Sequence, residues 1–326
     1  MVSHTSNVNL FDYHHPIKRS FVSRFNDGVI LQADYSALEL RVTGLMTGDP
    51  EMTETFLNDG DLHKNTASLM YGKPESEVTS DERKKAKTVS FSLLYGDVPF
   101  SFASKNDMPV EEAEELFNKY YEHKPAVRDA INETHEFVKQ HGYVETLHGF
   151  RRFIGNATSS DKKKRNEALR QSFNAKIQGL GSWFTSMAIT YIDDFIQLKG
   201  MKSKIIATVH DSIVVDAHPE EVEIMAKVVL RCMENLPFDF LMTDYKGKTI
   251  RYPIKADMEI GSSYGDLVEY DEDDFKSFST PQGYIKYYLN LQTLSDYFES
   301  GKLTEEQYKQ KVKLVEQEKY KYQQMS

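Results

Sequence analysis

Arg83, Lys87, Phe91 and Tyr95 stand four residues apart, and Gly96 follows at once. A helix turns about 100° per residue, so each step of four slips by only about 40° and all four side chains share one stripe. Two cations followed by two rings can hold a phosphate chain at one end and a flat ring at the other. The spacing predicts a helix over 82–95 that Gly96 ends. Arg83, Lys84, Lys85 and Lys87 fall near its start, where the macrodipole favours acids, so they suit an anionic ligand better than they suit the helix. The same segment also fits an ordinary amphipathic helix with a basic start and a buried end.

A second chemistry lies in two carboxylates. Residues 27–34 (DGVILQAD) read as a turn and a short apolar strand ending in Asp34. Residues 202–219 read as a hairpin of two β-branched runs with Asp211 at its tip. Two such acids meeting at one sheet edge cannot both ionise cheaply without a cation between them. A hard divalent ion suits oxygen donors, and paired ions would activate an attacking hydroxyl and stabilise a leaving oxyanion. Two unrelated strand-end acids are the alternative.

Other elements must position these groups. Helical character is expected over 36–46 and almost throughout 49–140, broken by turns at Gly60, Gly72–Pro74 and Gly96–Pro99. Residues 142–154 read as a hairpin around His148–Gly149, 166–198 as one long helix, 220–236 as an amphipathic helix and 250–261 as a last strand. Six of the nine residues from Asp266 to Asp274 are acidic, which reads as a linker to a helical tail rich in Tyr, Lys and Gln.

Length and composition narrow the class. At 326 residues with 40% hydrophobic content the chain can bury a sizeable core. One cysteine, Cys232, excludes a disulfide framework and a Cys-based zinc site. The polar first twenty residues and the lack of a long apolar run predict an intracellular, cytoplasmic protein without a membrane span. A net charge of −10 does not argue against nucleic acid, because the basic clusters at 83–87, 151–152 and 162–165 are local. Each also fits a solvated face.

ADYSALELR (33–41), RKKAKTVSFSLLYG (83–96) and TVHDSIV (208–214) resemble, in order, motifs A, B and C of family A DNA polymerases. DLH (61–63), YVETLHGFRR (143–152) and RQSFNAKIQG (170–179) resemble that family too, in the style of tailed-phage enzymes, over roughly residues 5–265. The resemblance implies an α+β fold: a right-hand palm, made of an antiparallel sheet with helices, and mostly helical fingers. It implies a lead-in at 1–26, palm at 27–50 and 142–265, fingers at 51–141 and a tail at 266–326. The implied activity is template-directed addition of dNTPs to a primer 3′-OH by two-metal nucleotidyl transfer in phage DNA replication. Asp34, Asp211 and the Tyr35 backbone carbonyl would hold two Mg²⁺ ions, with Mn²⁺ as a substitute. Glu39 would be the gate against a ribose 2′-OH. His63, Arg83 and Lys87 would grip the triphosphate, Phe91 would lie on the sugar and base, and Tyr95 would stack near the templating position. Arg170, Asn174 and Gln178 would touch the primer–template minor groove, and His210 the primer terminus. Swinging of the ladder helix on correct pairing is expected as an induced-fit check.

Three departures stand out. Ser212 replaces the family's usual third acid, and Ala37 replaces a polar residue of motif A. The chain also begins almost at motif A, with MVSHTSNVNL where the family carries its Arg-Leu-Ser-Ser segment, so the thumb is expected from a second polypeptide that also carries exonuclease-like domains. An expression fragment or a wrongly assigned gene start is the competing explanation. In the tail, 294–317 resembles short helical hairpins of the SHOCT type, with a capping box starting at Thr304, and suits partner contact, oligomerisation or a solvated appendage. A single-subunit RNA polymerase, opposed by Glu39, and a non-catalytic DNA-binding subunit are the competing functions.

Overall fold

Strand β1 (Val29–Tyr35) is apolar on both faces at its start and carries Gln32 and Asp34 on one face toward its end. The computed structural model describes residues 17–325. The segment MVSHTSNVNL lies outside the described residues. After β1 come helices α1 (Leu38–Thr47), α2 (Pro50–Leu57), α3 (Leu62–Tyr71), α4 (Ser80–Leu94), α5 (Pro99–Asn106), α6 (Val110–His123) and α7 (Pro125–His141). The hairpin β2 (Tyr143–Glu145) and β3 (Arg151–Phe153) leads to α8 (Lys162–Lys199), then β4 (Lys204–Val209), β5 (Ser212–Ala217) and α9 (Val222–Glu234). Strands β6 (Met242–Tyr245), β7 (Lys248–Arg251), β8 (Ala256–Gly261) and β9 (Leu267–Glu269) follow, then α10 (Glu272–Phe275), α11 (Pro281–Glu299), α12 (Glu305–Gln317) and α13 (Lys319–Gln323).

The chain divides into two compact units. The first holds residues 17–36, 185–236 and 255–325. Its antiparallel sheet has the order β4-β5-β1-β8-β9, with β1 central. One face, formed by Leu31, Ala33, Ile213, Val215, Met258 and Ile260, is buried, and α9 packs on the sheet through Met225, Val229 and Met233. Alternation along the strands puts Gln32, Asp34, Asp257 and Glu259 on the other face.

The second unit holds 37–184 and 237–254. In it α3 packs on α4 and both pack on α6. Helix α4 starts two residues earlier than its sequence pattern suggests. Thr79 caps it in a reciprocal capping box with Glu82, and Asp81 and Glu82 fill the first turn. Lys73 and Thr79 together pull Glu82 down to about 2. Acids therefore do occupy the helix start, and the cations begin one turn in.

Two further expectations need correction. Residues 250–261 are not one strand. Pro253 has no N–H to give a ladder, and it separates β7, paired with β6 in a two-stranded hairpin, from β8. Nor is β8 the last strand or the acidic stretch a linker. Leu267–Glu269 pairs with β8 as the sheet edge, and the tail packs behind it through the fully buried Tyr284. The capping box at Thr304 is present. Among the described residues no helix is long and apolar enough to cross a membrane.

Candidate active site

In the sheet unit, antiparallel register places Asp34 opposite Ser212 of β5 and Asp257 of β8. Asp211 is the turn residue before Ser212, which brings its carboxyl close enough to that of Asp34 for the two to interact. Burial first, then the Asp211 charge, pushes Asp34 up to about 6. A shared proton or a cation relieves this pair. Paired, uncompensated oxygen donors fit a hard divalent ion. Tyr35 turns its side chain into the core, where its hydroxyl donates to the Met233 carbonyl at 3.1 Å, which leaves only main-chain groups to serve as ligands. The Ser212 hydroxyl donates to the Val209 carbonyl at 2.9 Å and is buried, so it ties the hairpin together. His210 precedes Asp211 with φ of 57° and is exposed. Among the described residues no group of three or more His, Cys, Asp or Glu side chains forms a metal cluster.

The helical unit carries the ladder. The His63 ring lies 5.7 Å from Phe91, and Phe91 lies 6.2 Å from Tyr95 with the planes 24° apart. Lys87 Nζ is 6.0 Å from the Phe91 ring centre, and the Tyr95 hydroxyl reaches Glu39 in the first turn of α1. Arg83 Nε donates to Asp61. Seven residues from three separate sequence blocks therefore lie along one strip. Burial pushes His63 down to about 4, so it is a neutral imidazole at pH 7 and can offer a hydrogen bond but no charge. Ala37 begins α1 with φ of 52° and gives no side-chain cap, a function a polar residue there could supply.

Arg170, Asn174 and Gln178 share a face of α8, as their spacing requires. The Oδ1 of Asn174 is buried without a partner. Gly96 ends the ladder with φ of 73°, and a Cβ there would sit 2.4 Å from the Arg170 carbonyl oxygen. Only glycine lets the end of α4 approach α8 this closely.

A family model described as DNA polymerase family A matches residues 7–266. The chain belongs to the family A DNA polymerases. It is similar to the DNA polymerase of Bacillus phage SP01, with 37% identity over 283 residues that cover 85% of this chain and 30% of that protein. It is 34% identical over 221 residues to the thermostable DNA polymerase I of Thermus aquaticus, covering 68% of this chain and 26% of that protein. Among solved structures it resembles the POL domain of Pol1 from M. smegmatis, a complex with DNA primer-template and dNTP. The TM-score is 0.70 at 27% identity, over 77% of this chain and 42% of that one. The chain thus spans less than a third of the length of these two curated relatives.

Sequence reasoning gave no role to two sets of groups, one in each unit. Asp61 bonds Arg83 across 22 residues; its sequence signals are its place in the DLH block and an acid one residue before a helix. Asp257 and Glu259 share the face of Asp34, and alternation in ADMEIG is their signal.

Proposed function

We propose that this chain performs template-directed DNA synthesis, adding dNTPs to a primer 3′-OH. The observation that carries the reading is the Asp34–Asp211 pair, where the end of the central strand meets the β4–β5 turn, in a family A polymerase that also keeps the whole ladder. In this reading the sheet unit belongs to the palm, and residues 51–141 are the fingers. Asp34, Asp211 and the Tyr35 carbonyl hold two Mg²⁺ ions. When bound, such ions lower the pKa of the attacking hydroxyl and neutralise the leaving pyrophosphate.

The chain's own residues do the rest. Arg83 and Lys87 offset negative charge on the triphosphate, which is most of what phosphoryl transfer asks of a protein. His63 donates a hydrogen bond as a neutral ring, a role supported by its low pKa. Phe91 lies on the sugar and base, Tyr95 stacks near the template base, and Glu39 crowds a 2′-OH. Arg170, Asn174 and Gln178 donate to minor-groove acceptors that every correct pair presents, so they check shape and not sequence. His210 sits beside the primer terminus. Primer–template DNA and dNTPs are the partners, in the bacterial cytoplasm.

Primer extension with Asp34→Ala and Asp211→Ala tests this. Both variants should lose synthesis in Mg²⁺; retained synthesis in either removes the metal assignment.

A further inference from the structure

Asp61 performs two tasks with one carboxylate. Its Oδ1 accepts from the backbone amides of His63 at 3.0 Å and Lys64 at 3.1 Å, which caps α3. Its Oδ2 accepts from Arg83 Nε at 2.5 Å. Arg carries five N–H donors in a planar fork. Only Nε is engaged here, so among the described residues the two terminal guanidinium nitrogens have no protein hydrogen bond. One carboxylate thus ties the first rung of the ladder to the start of the helix that carries His63.

Stability does not account for this arrangement. Both side chains are more than a third exposed, at 45% and 36%, and exposed ion pairs add little. Helix capping alone needs only one of the two oxygens. Holding Nε instead fixes the guanidinium plane and leaves its terminal nitrogens free, which is the geometry a phosphate accepts as a two-pronged partner. Burial works to raise the pKa of Asp61, but Arg83 and the α3 amides outweigh it and keep the group ionised.

We infer that Asp61 is a positioning residue for the nucleotide's triphosphate: it anchors Arg83 by Nε so that the terminal guanidinium nitrogens meet phosphate oxygens. The inference rests on the reading of the ladder as the triphosphate grip.

The test measures Kd for dTTP in Mg²⁺ by calorimetry, and kcat and KM in single-nucleotide extension, on the full chain. The variants are Asp61→Ser, Asp61→Asn, Arg83→Ala and the Ser/Ala double. Serine keeps the helix cap but is too short to hold Arg83, whereas asparagine keeps both a cap and a neutral acceptor. Asp61→Ser should raise Kd and KM about tenfold with kcat changed by less than about twofold, and leave Tm within about 1 °C. Asp61→Asn should recover most of that loss, and in the Arg83→Ala background Asp61→Ser should add nothing. Unchanged Kd in Asp61→Ser, an equal loss in the Arg83→Ala background, or no recovery with asparagine each overturns the inference. If Arg83→Ala itself leaves Kd and KM at wild-type values, the ladder reading fails and takes this inference with it, a result distinct from failure of Asp61 alone.

Discussion

The Tyr95 hydroxyl donates to the Glu39 carboxylate, 2.8 Å from one oxygen and 3.0 Å from the other. Burial and then the Glu39 charge push the Tyr95 phenol up to about 12, so it remains a donor at any working pH. The last rung of the ladder therefore fixes the rotamer of the residue assigned to exclude ribose. Glu39→Ala should raise the ratio of rNTP to dNTP incorporation by about 10- to 100-fold, since discrimination by packing is worth that much. Tyr95→Phe removes the anchor but keeps the carboxylate, and should give a smaller rise. Competition kinetics with matched rNTP and dNTP measure both. An unchanged ratio in Glu39→Ala would also reopen the RNA polymerase reading.

Asp34 carries a stability cost that function explains. Its carboxyl ionises at about 6 in the folded protein and at 3.8 without its surroundings. Between those values the folded state binds more protons, so stability of the metal-free protein falls as pH rises through the window, and the full cost is present above it. Asp34→Asn removes the cost. In EDTA at pH 7.5 it should gain about 1 kcal/mol, discounted because the group is partly solvated, and about 2 °C in Tm. The gain should vanish toward pH 4, as read by thermal unfolding across pH, while primer extension is lost. A lower Tm at pH 7.5 would contradict the account.

Phe91 sits between His63 and Tyr95 with no hydroxyl of its own to offer a sugar. In the proposed reading, the Phe91 ring offers nothing to replace the contact that a missing 3′-OH would have made. Phe91→Tyr should weaken discrimination against dideoxynucleotides by at least about tenfold. Chain-termination ratios on a fixed template measure it, and wild-type discrimination in the variant would show that the ladder has been misread.

The tail is built into the sheet unit. The Tyr284 hydroxyl donates to the Glu269 carbonyl at 2.9 Å and accepts from the Asp271 amide at 2.9 Å, with the ring fully buried. Tyr284→Phe should cost about 1–3 kcal/mol by leaving buried backbone groups unpaired, and Tyr284→Ala about 3–5 kcal/mol through the cavity. Urea unfolding reads both. Nucleotide addition at 25 °C should survive in Tyr284→Phe; its loss would give the tail a part in the reaction.

Much of the site was legible because backbone geometry sets local period. Spacing of four put Arg83, Lys87, Phe91 and Tyr95 on one face, and likewise Arg170, Asn174 and Gln178. Apolar runs ended by an acid marked β1 and the β4–β5 hairpin. The pattern failed where no period exists. A short β6–β7 hairpin has too few residues to show alternation, and the edge strand β9 hides in an acidic stretch that reads as a linker.

The sequence by itself determined which residues could act and which of them share an element, since those follow from turn angle and pleat. Only tertiary structure decided which partners they meet. Antiparallel register set Asp34 beside the Asp211 turn and raised its pKa. Packing joined Tyr95 to Glu39 across 56 residues and Arg83 to Asp61 across 22. It also turned Ser212 inward to tie the β4–β5 hairpin together. Such pairings depend on long-range closure of the chain, which no local period records.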